Sequence, residues 1–282
     1  MKFIYTILIF IASKTQICFG QSEILWEVTN PKNTEKSYLF GTIHSGDSKL
    51  FPIDSIIYKS LFKCDLLALE INPSEMNDIN VLKKMLLDEK NIEDLFSKKN
   101  YELITTFLKD SLNVSEIMVK NMQPIFIQQL IDQSVYKNEH DPIDLHLYKN
   151  ALINNISIEG LETIEEQMNT LLSIPLKKQA DDLLDKVKKF NSDEIKKEMN
   201  SMIYAYINRD IENFVINELK KNKNNDFEEN FIYSRNIKMF ERANQKLNNN
   251  TVFIAVGAAH LYGEKGLINL LKKEGYILNP IF

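Results

Sequence analysis

The chain has 282 residues, of which 44% are apolar and 26% charged, with a formal charge of −5 at pH 7. The length suits one large domain or two modest ones, and the composition excludes a disordered chain. The mild acidity argues against a nucleic-acid partner, since phosphates demand a basic face.

The first twenty residues stand apart. Lys2 precedes an apolar run from Phe3 to Ala12, too short to span a bilayer as a helix. Cys18-Phe19-Gly20 places small residues at −3 and −1 of a cut before Gln21. The pattern is that of a secretory signal peptide over 1–20; a buried first helix or a retained anchor is the alternative. It predicts an exported chain, periplasmic or secreted, with no membrane span after cleavage. Cleavage takes away Lys2 and Lys14 and no acid, moving the formal charge from −5 to −7. Only Cys64 then remains, which excludes an internal disulfide. Cys64 sits where an apolar helix runs into a strand, and reads as a packed small hydrophobe.

Residues 21–282 read as a single α/β domain. Ile24 to Val28 and Ser37 to Phe40 form a hairpin across Asn30-Pro31-Lys32-Asn33. Gly41-Thr42-Ile43-His44 follows. A helix then starts near Asp54 or Ser55, with Ile53, Ile57 and Leu61 four apart on one face. Leu66-Leu67-Ala68-Leu69 is the continuous apolar run of a strand buried on both faces, stopped by Pro73 after Glu70.

From about 75 to 248 the period is mostly helical, a long insertion. Val81, Met85, Leu86, Leu95, Leu103, Phe107, Leu108, Ile117, Met122, Ile125, Leu130 and Ile131 mark inward faces. Asp141 to Leu152 is a further helix, and Ile156-Ser157-Ile158 alternates like a strand before Gly160-Leu161-Glu162-Thr163. The lysine run Lys220-Lys221-Asn222-Lys223 reads as a solvated helix end. Thr251 to Val256 is again an apolar strand, closed by Gly257-Ala258-Ala259-His260. A helix from Gly263 to Lys273, a Gly275 cap and a last strand, Tyr276 to Leu278, complete the chain.

The two ends echo one another: strand, Gly-x-x-His, loop, helix, strand. That predicts a central mixed sheet built from two β-loop-helix-β units, 37–72 and 251–278, around the helical insertion. A glycine three residues before each histidine lets the backbone turn sharply at a strand end. Strand ends of α/β sheets share a crevice where ligands bind. His44 and His260 can therefore meet there, as metal ligands or as an acid/base pair. His140 and His146 lie in a polar helical region and are weaker candidates. Glu70 and Glu162 each end a strand, where a buried charge must be paired or liganded; Glu162 can instead bond amides at a helix N-terminus. Arg235 either binds an anionic substrate group or pairs with Glu162 or Glu70.

Gly41-Thr42-Ile43-His44, the strand ending in Glu70, Gly160-Leu161-Glu162-Thr163 with Glu166-Gln167, Arg235-Asn236, and Val256-Gly257-Ala258-Ala259-His260-Leu261 through Gly275-Tyr276 resemble the TraB/GumN family. The resemblance covers nearly the whole chain after residue 20. The family includes the TIKI proteins, regarded as metal-dependent proteases acting outside the cell, with erythromycin-esterase-like proteins as distant relatives. The resemblance implies a fold of that kind and a site of His44, Glu70 and His260, joined by Arg235 and Glu162. It further implies a divalent ion (Mn, Co or Zn) and a peptide or other small extracytoplasmic substrate. The family often has Gly-x-Asp where this chain has Asp141-Pro142-Ile143-Asp144, which leaves Asp144 without an assigned role. Three functions compete: a metal-dependent hydrolase, a metal-free esterase-like hydrolase with a histidine base, and a non-enzymatic exported binding protein using the same crevice.

Overall fold

The computed structural model describes residues 23–32, 35–135, 139–221 and 232–281. The segment read as a signal peptide, and Asn222-Lys223 of the lysine run, lie outside the described residues.

Six strands form one mixed sheet in the order β4-β3-β5-β2-β1-β6. They are β1 (Leu25–Thr29), β2 (Lys36–Thr42), β3 (Leu66–Leu69), β4 (Ser157–Gly160), β5 (Val252–Gly257) and β6 (Ile277–Pro280). β1 runs antiparallel to both β2 and β6, and all other pairings are parallel. Five strands therefore point the same way. β3 and β5 hold only apolar side chains up to Gly257, and Leu66–Leu69 and Val252–Val256 are all buried. This is the pattern expected of strands covered on both faces.

The connections decide where a site can form. β2 leads through α1 (Ser55–Leu61) to β3, while β5 leads through a late helix, Leu267–Lys273, to β6. β2 and β5 are neighbours, and their crossovers leave in opposite directions along the sheet. Such a reversal opens a crevice at the carboxyl ends of the two strands. The expectation of two β-loop-helix-β units in one sheet holds, with β5 inserted between the strands of the first unit.

Local signals fix these elements. The Asp54 side chain accepts from the Ile56 amide and caps α1, whose Ile57 and Leu61 are buried. Cys64 is buried and donates to the Ser60 carbonyl, and burial pushes its thiol up to about 12, so it is an inert packing group. Gly275, at φ +98°, ends the last helix.

The remaining helices are α2 (Ile79–Lys84), α3 (Lys98–Leu112), α4 (Glu116–Val119), α5 (Pro124–Val135), α6 (Ile143–Ile153), α7 (Ile164–Leu172), α8 (Leu176–Lys188), α9 (Ser192–Ile207), α10 (Ile211–Lys221) and α11 (Ser234–Leu247); the late helix is α12. β4 interrupts this helical stretch and adds to the sheet beside β3. A second apolar cluster, including Ile104, Leu108, Ile127, Ile131 and Leu183, binds α3, α5 and α8 away from the sheet. Three residues expected inside are outside: Leu86, Leu103 and Ile117, the last 86% exposed. The apolar period here runs across helix breaks. Leu86 follows the end of α2, and Leu103 lies beside the inward face of α3 set by Tyr101, Ile104 and Leu108. Ile117 sits in the four-residue α4, which ends at Val119 before α5 opens at Pro124, so the phase of α5 does not carry back to it. No helix among the described residues is long and apolar enough to cross a membrane.

Candidate functional site

Side chains in an extended segment alternate, so Thr42 and His44 face one way while Gly41 and Ile43 face the other. Thr42 Oγ1 donates to Asp144 Oδ1 at 2.6 Å, and His44 Nδ1 lies 2.7 Å from Asp144 Oδ2. Asp144 is in the first turn of α6. That turn is brought alongside by the residues before it: the Glu139 and His140 amides donate to the Gly46 carbonyl. The contact admits no side chain at 46, where a Cβ atom would stand 1.8 Å from the His140 carbonyl oxygen.

The second motif ends β5 in a short 3-10 turn, Ala258–His260. His260 is buried, and its Nδ1 lies 2.6 Å from Asn236 Oδ1 on α11. Neither Gly41 nor Gly257 has a positive φ, so neither position needs glycine for its backbone dihedrals. Space is what these glycines provide. A Cβ at Gly41 would press on Leu261 and Ala258 at 3.0–3.1 Å, blocking the approach of the second unit. A Cβ at Gly257 would stand 3.1 Å from Glu70 Oε1 and 3.7 Å from His44 Nε2 and His260 Cδ2.

Glu70 lies between the two rings. Its Oε1 is 3.8 Å from His44 Nε2 and 3.7 Å from His260 Nε2, and accepts from the Gly257 amide at 2.7 Å. The two nitrogens are therefore at most about 7.5 Å apart, the sum of those separations. Glu70 Oε2 accepts from Arg235 at 2.7 Å and from Gln167 at 3.2 Å. Glu162 is buried and takes the other part of the Arg235 fork, with Nε at 2.9 Å and NH2 at 2.6 Å from Oε2. The amide-capping role open to Glu162 falls instead to Thr163 and Glu166, which form a capping box on α7.

His140 and His146 stand elsewhere, with ring centroids 4.3 and 5.1 Å from that of Phe51. Asp144, Asn236 and Gln167 are the functional candidates that sequence reasoning did not assign. Asn236 adjoins Arg235 and Gln167 follows Glu166, so the signal for both is their place in the motif.

The charges divide the two histidines. The Asp144 carboxylate raises the His44 pKa well above 6.5, against partial desolvation of the ring. Solvent moderates this, since 65% of the side chain is exposed. Burial lowers His260 to about 4, against the pull of Glu70, so it is neutral at pH 7. Burial alone would raise Glu70, but positive charge around it more than offsets this and holds it well below the carboxylate range. With His260 neutral, Arg235 is the permanent cation beside Glu70.

Could an ion fit? No group of three or more His, Cys, Asp or Glu side chains is placed to hold a metal ion as it stands among the described residues. The donor chemistry nevertheless suits one. Both Nδ1 atoms face oxygen acceptors, which leaves the Nε2 lone pair of neutral His260, and that of His44 once its Nε2 proton is displaced, to converge on Glu70. Two ligand atoms about 2.1 Å from one ion at a tetrahedral angle lie about 3.4 Å apart. The separations of 3.7 and 3.8 Å are a few tenths wider, and the missing Cβ of Gly257 keeps the space between the three groups clear.

Neither a curated protein nor a solved structure matches the chain. The profile of the TraB/PrgY/gumN family matches residues 24–280, from the first strand to the last, and so includes both Gly-x-x-His turns, Glu70, Glu162 and Arg235. The chain belongs to the TraB/PrgY/gumN family.

Proposed function

We propose that the chain is an exported metal-dependent hydrolase that cleaves peptide bonds, with His44, Glu70 and His260 holding the ion. The observation that carries the reading is the convergence of two Nδ1-anchored imidazoles on one carboxylate oxygen, within 3.8 Å. A bound divalent ion supplies Lewis-acid polarisation and acidifies a water. The chain's own groups prepare for this. Asp144 and Asn236 orient the rings, Arg235 keeps Glu70 ionised, and Gly257 leaves the room. His44 is the exposed member and meets the substrate. The peptide substrate rests on the likeness to TIKI proteins, and export on the apolar segment Phe3–Ala12.

The short His44–Asp144 contact favours a second reading, a metal-free hydrolase using this pair for acid/base chemistry. Untagged protein from its native host separates the two. The first reading expects a mature N-terminus near Gln21, bound Mn, Co or Zn by elemental analysis, peptide-library cleavage lost on chelation, and recovery on adding ion back. Glu70→Gln lowers ion affinity if Glu70 is a ligand, and lowers turnover alone if it is a base. Full cleavage after exhaustive chelation would leave the metal-free pair as the mechanism. No cleavage of any peptide or ester would leave a binding protein.

A further inference from the structure

His44 and His260 are anchored at the same ring atom by different chemistry, a carboxylate for one and a carboxamide for the other. The carboxamide is held in one orientation. Asn236 Nδ2 donates to the Lys265 carbonyl at 2.9 Å and to the His260 carbonyl at 3.3 Å. Turning the amide over would set Oδ1 against both carbonyl oxygens, and none of these oxygens can donate. Oδ1 must therefore face His260 Nδ1, 2.6 Å away. Since Oδ1 can only accept, the proton of a neutral His260 has to be on Nδ1. Asn236 is fully buried and His260 nearly so, so bulk water does not compete for either atom.

We propose that Asn236 is a positioning residue that fixes the Nδ1–H tautomer of His260 and so keeps its Nε2 lone pair turned toward Glu70. A neutral histidine side chain free in water carries its proton mostly on Nε2, which here would present an N–H to the site and close it to an ion. The use of the lone pair for an ion rests on the function proposed above; the tautomer does not. A purely structural alternative exists: Asn236 merely ties α11 to the 260–265 turn through its two donated bonds.

Substitutions separate the two roles. Asn236→Asp retains an acceptor for Nδ1 and, while ionised, cannot donate to either carbonyl, whereas Asn236→Ala loses both functions. The measurement is long-range proton–nitrogen correlation on metal-free, 15N-histidine-labelled full chain at mildly alkaline pH. The His260 signals are identified by their loss in His260→Ala. Wild type and Asn236→Asp should show the Nδ1–H pattern, and Asn236→Ala should shift toward Nε2–H. Titration with zinc(II) should show affinity falling about 10–100-fold in Asn236→Ala and less in Asn236→Asp. An Nε2–H wild type overturns the proposal, as does an Asp variant that behaves like the Ala variant. If Asn236→Ala does not fold, the wild-type and Asp spectra still decide. Should zinc(II), cobalt(II) and manganese(II) all fail to bind while the tautomers behave as stated, the metal-dependent reading falls and the role of Asn236 stands.

Discussion

His44 and Asp144 are one hundred residues apart in the chain, yet Nδ1 and Oδ2 meet at 2.7 Å. The carboxylate raises the His44 pKa above 6.5, so the folded protein holds a proton that the unfolded chain has lost at the same pH. The stabilisation is complete below the ordinary histidine value and fades as pH rises through the raised one. Asp144→Asn should bring the His44 titration, followed by NMR, back toward the ordinary value. Turnover should fall about 10–100-fold, with a stability loss of only about 1 kcal/mol because the ring is open to solvent. An unchanged His44 titration would show that the carboxylate does not govern the ring.

Periodicity and turn residues carried the strands because each signal was local. Leu66–Leu69 and Val252–Val256 announce burial on both faces by being unbroken, and Asp54 announces α1 by its cap. His44, Glu70 and His260 were legible because each follows an apolar strand, and parallel strands end at one edge. Asp144 was not legible. Its role depends on the Gly46–His140 backbone contact that lays α6 beside β2, and nothing in Asp141-Pro142-Ile143-Asp144 encodes that meeting. Asn236 was hidden differently: a buried stripe of Asn236, Met239, Ala243 and Leu247 gives a helix face, but not which polar atom the face delivers to His260. Ile117 is exposed because α4 and α5 are separate helices, a break that the apolar spacing from Ile117 to Ile131 does not announce.

Glu166 links α7 to α11 and gives a pH signature remote from the site. Its hydrogen bond with Arg242, against burial, lowers the carboxyl from 4.5 to about 2. The associated stability is present above the ordinary value and is lost as pH falls from 4.5 toward 2. Both partners are partly exposed, so the amount is about 1–2 kcal/mol after screening. Glu166→Gln keeps an acceptor for the Thr163 amide and removes the ion pair. Denaturation at a series of pH values should show wild type losing its advantage over the variant across this range. Parallel curves would mean the pair contributes nothing.

Arg235 serves two carboxylates before it serves any substrate. Its guanidinium meets Glu162 and Glu70 together at 2.6 and 2.7 Å, and Glu162 is almost wholly buried. Arg235→Met leaves two acids without their cation, which should cost about 3–5 kcal/mol. Adding Glu162→Gln should recover part of that, since one uncompensated charge is removed. Chemical denaturation of the single and double variants measures both. If the double variant is no more stable than Arg235→Met, the pair is not coupled as the geometry requires.

Gly257→Ala isolates the space between the three central groups. The backbone there, φ −51° and ψ 133°, is open to any residue, so the substitution brings no dihedral strain. The loss of glycine's freedom in the unfolded chain favours the variant by about 0.4–1 kcal/mol. The new methyl, however, would lie 3.1 Å from Glu70 Oε1 and 3.7 Å from His44 Nε2 and His260 Cδ2. It fills the gap toward which the two imidazoles and the carboxylate point. Thermal stability should therefore change little, within about 1 kcal/mol, while zinc(II) affinity and peptide cleavage should fall at least about tenfold, an ordinary result of misplacing one ligand. Calorimetry alongside zinc titration reads the two effects separately. A variant that is as stable as wild type and binds zinc equally well would show that the space above Gly257 is not where the ion is held.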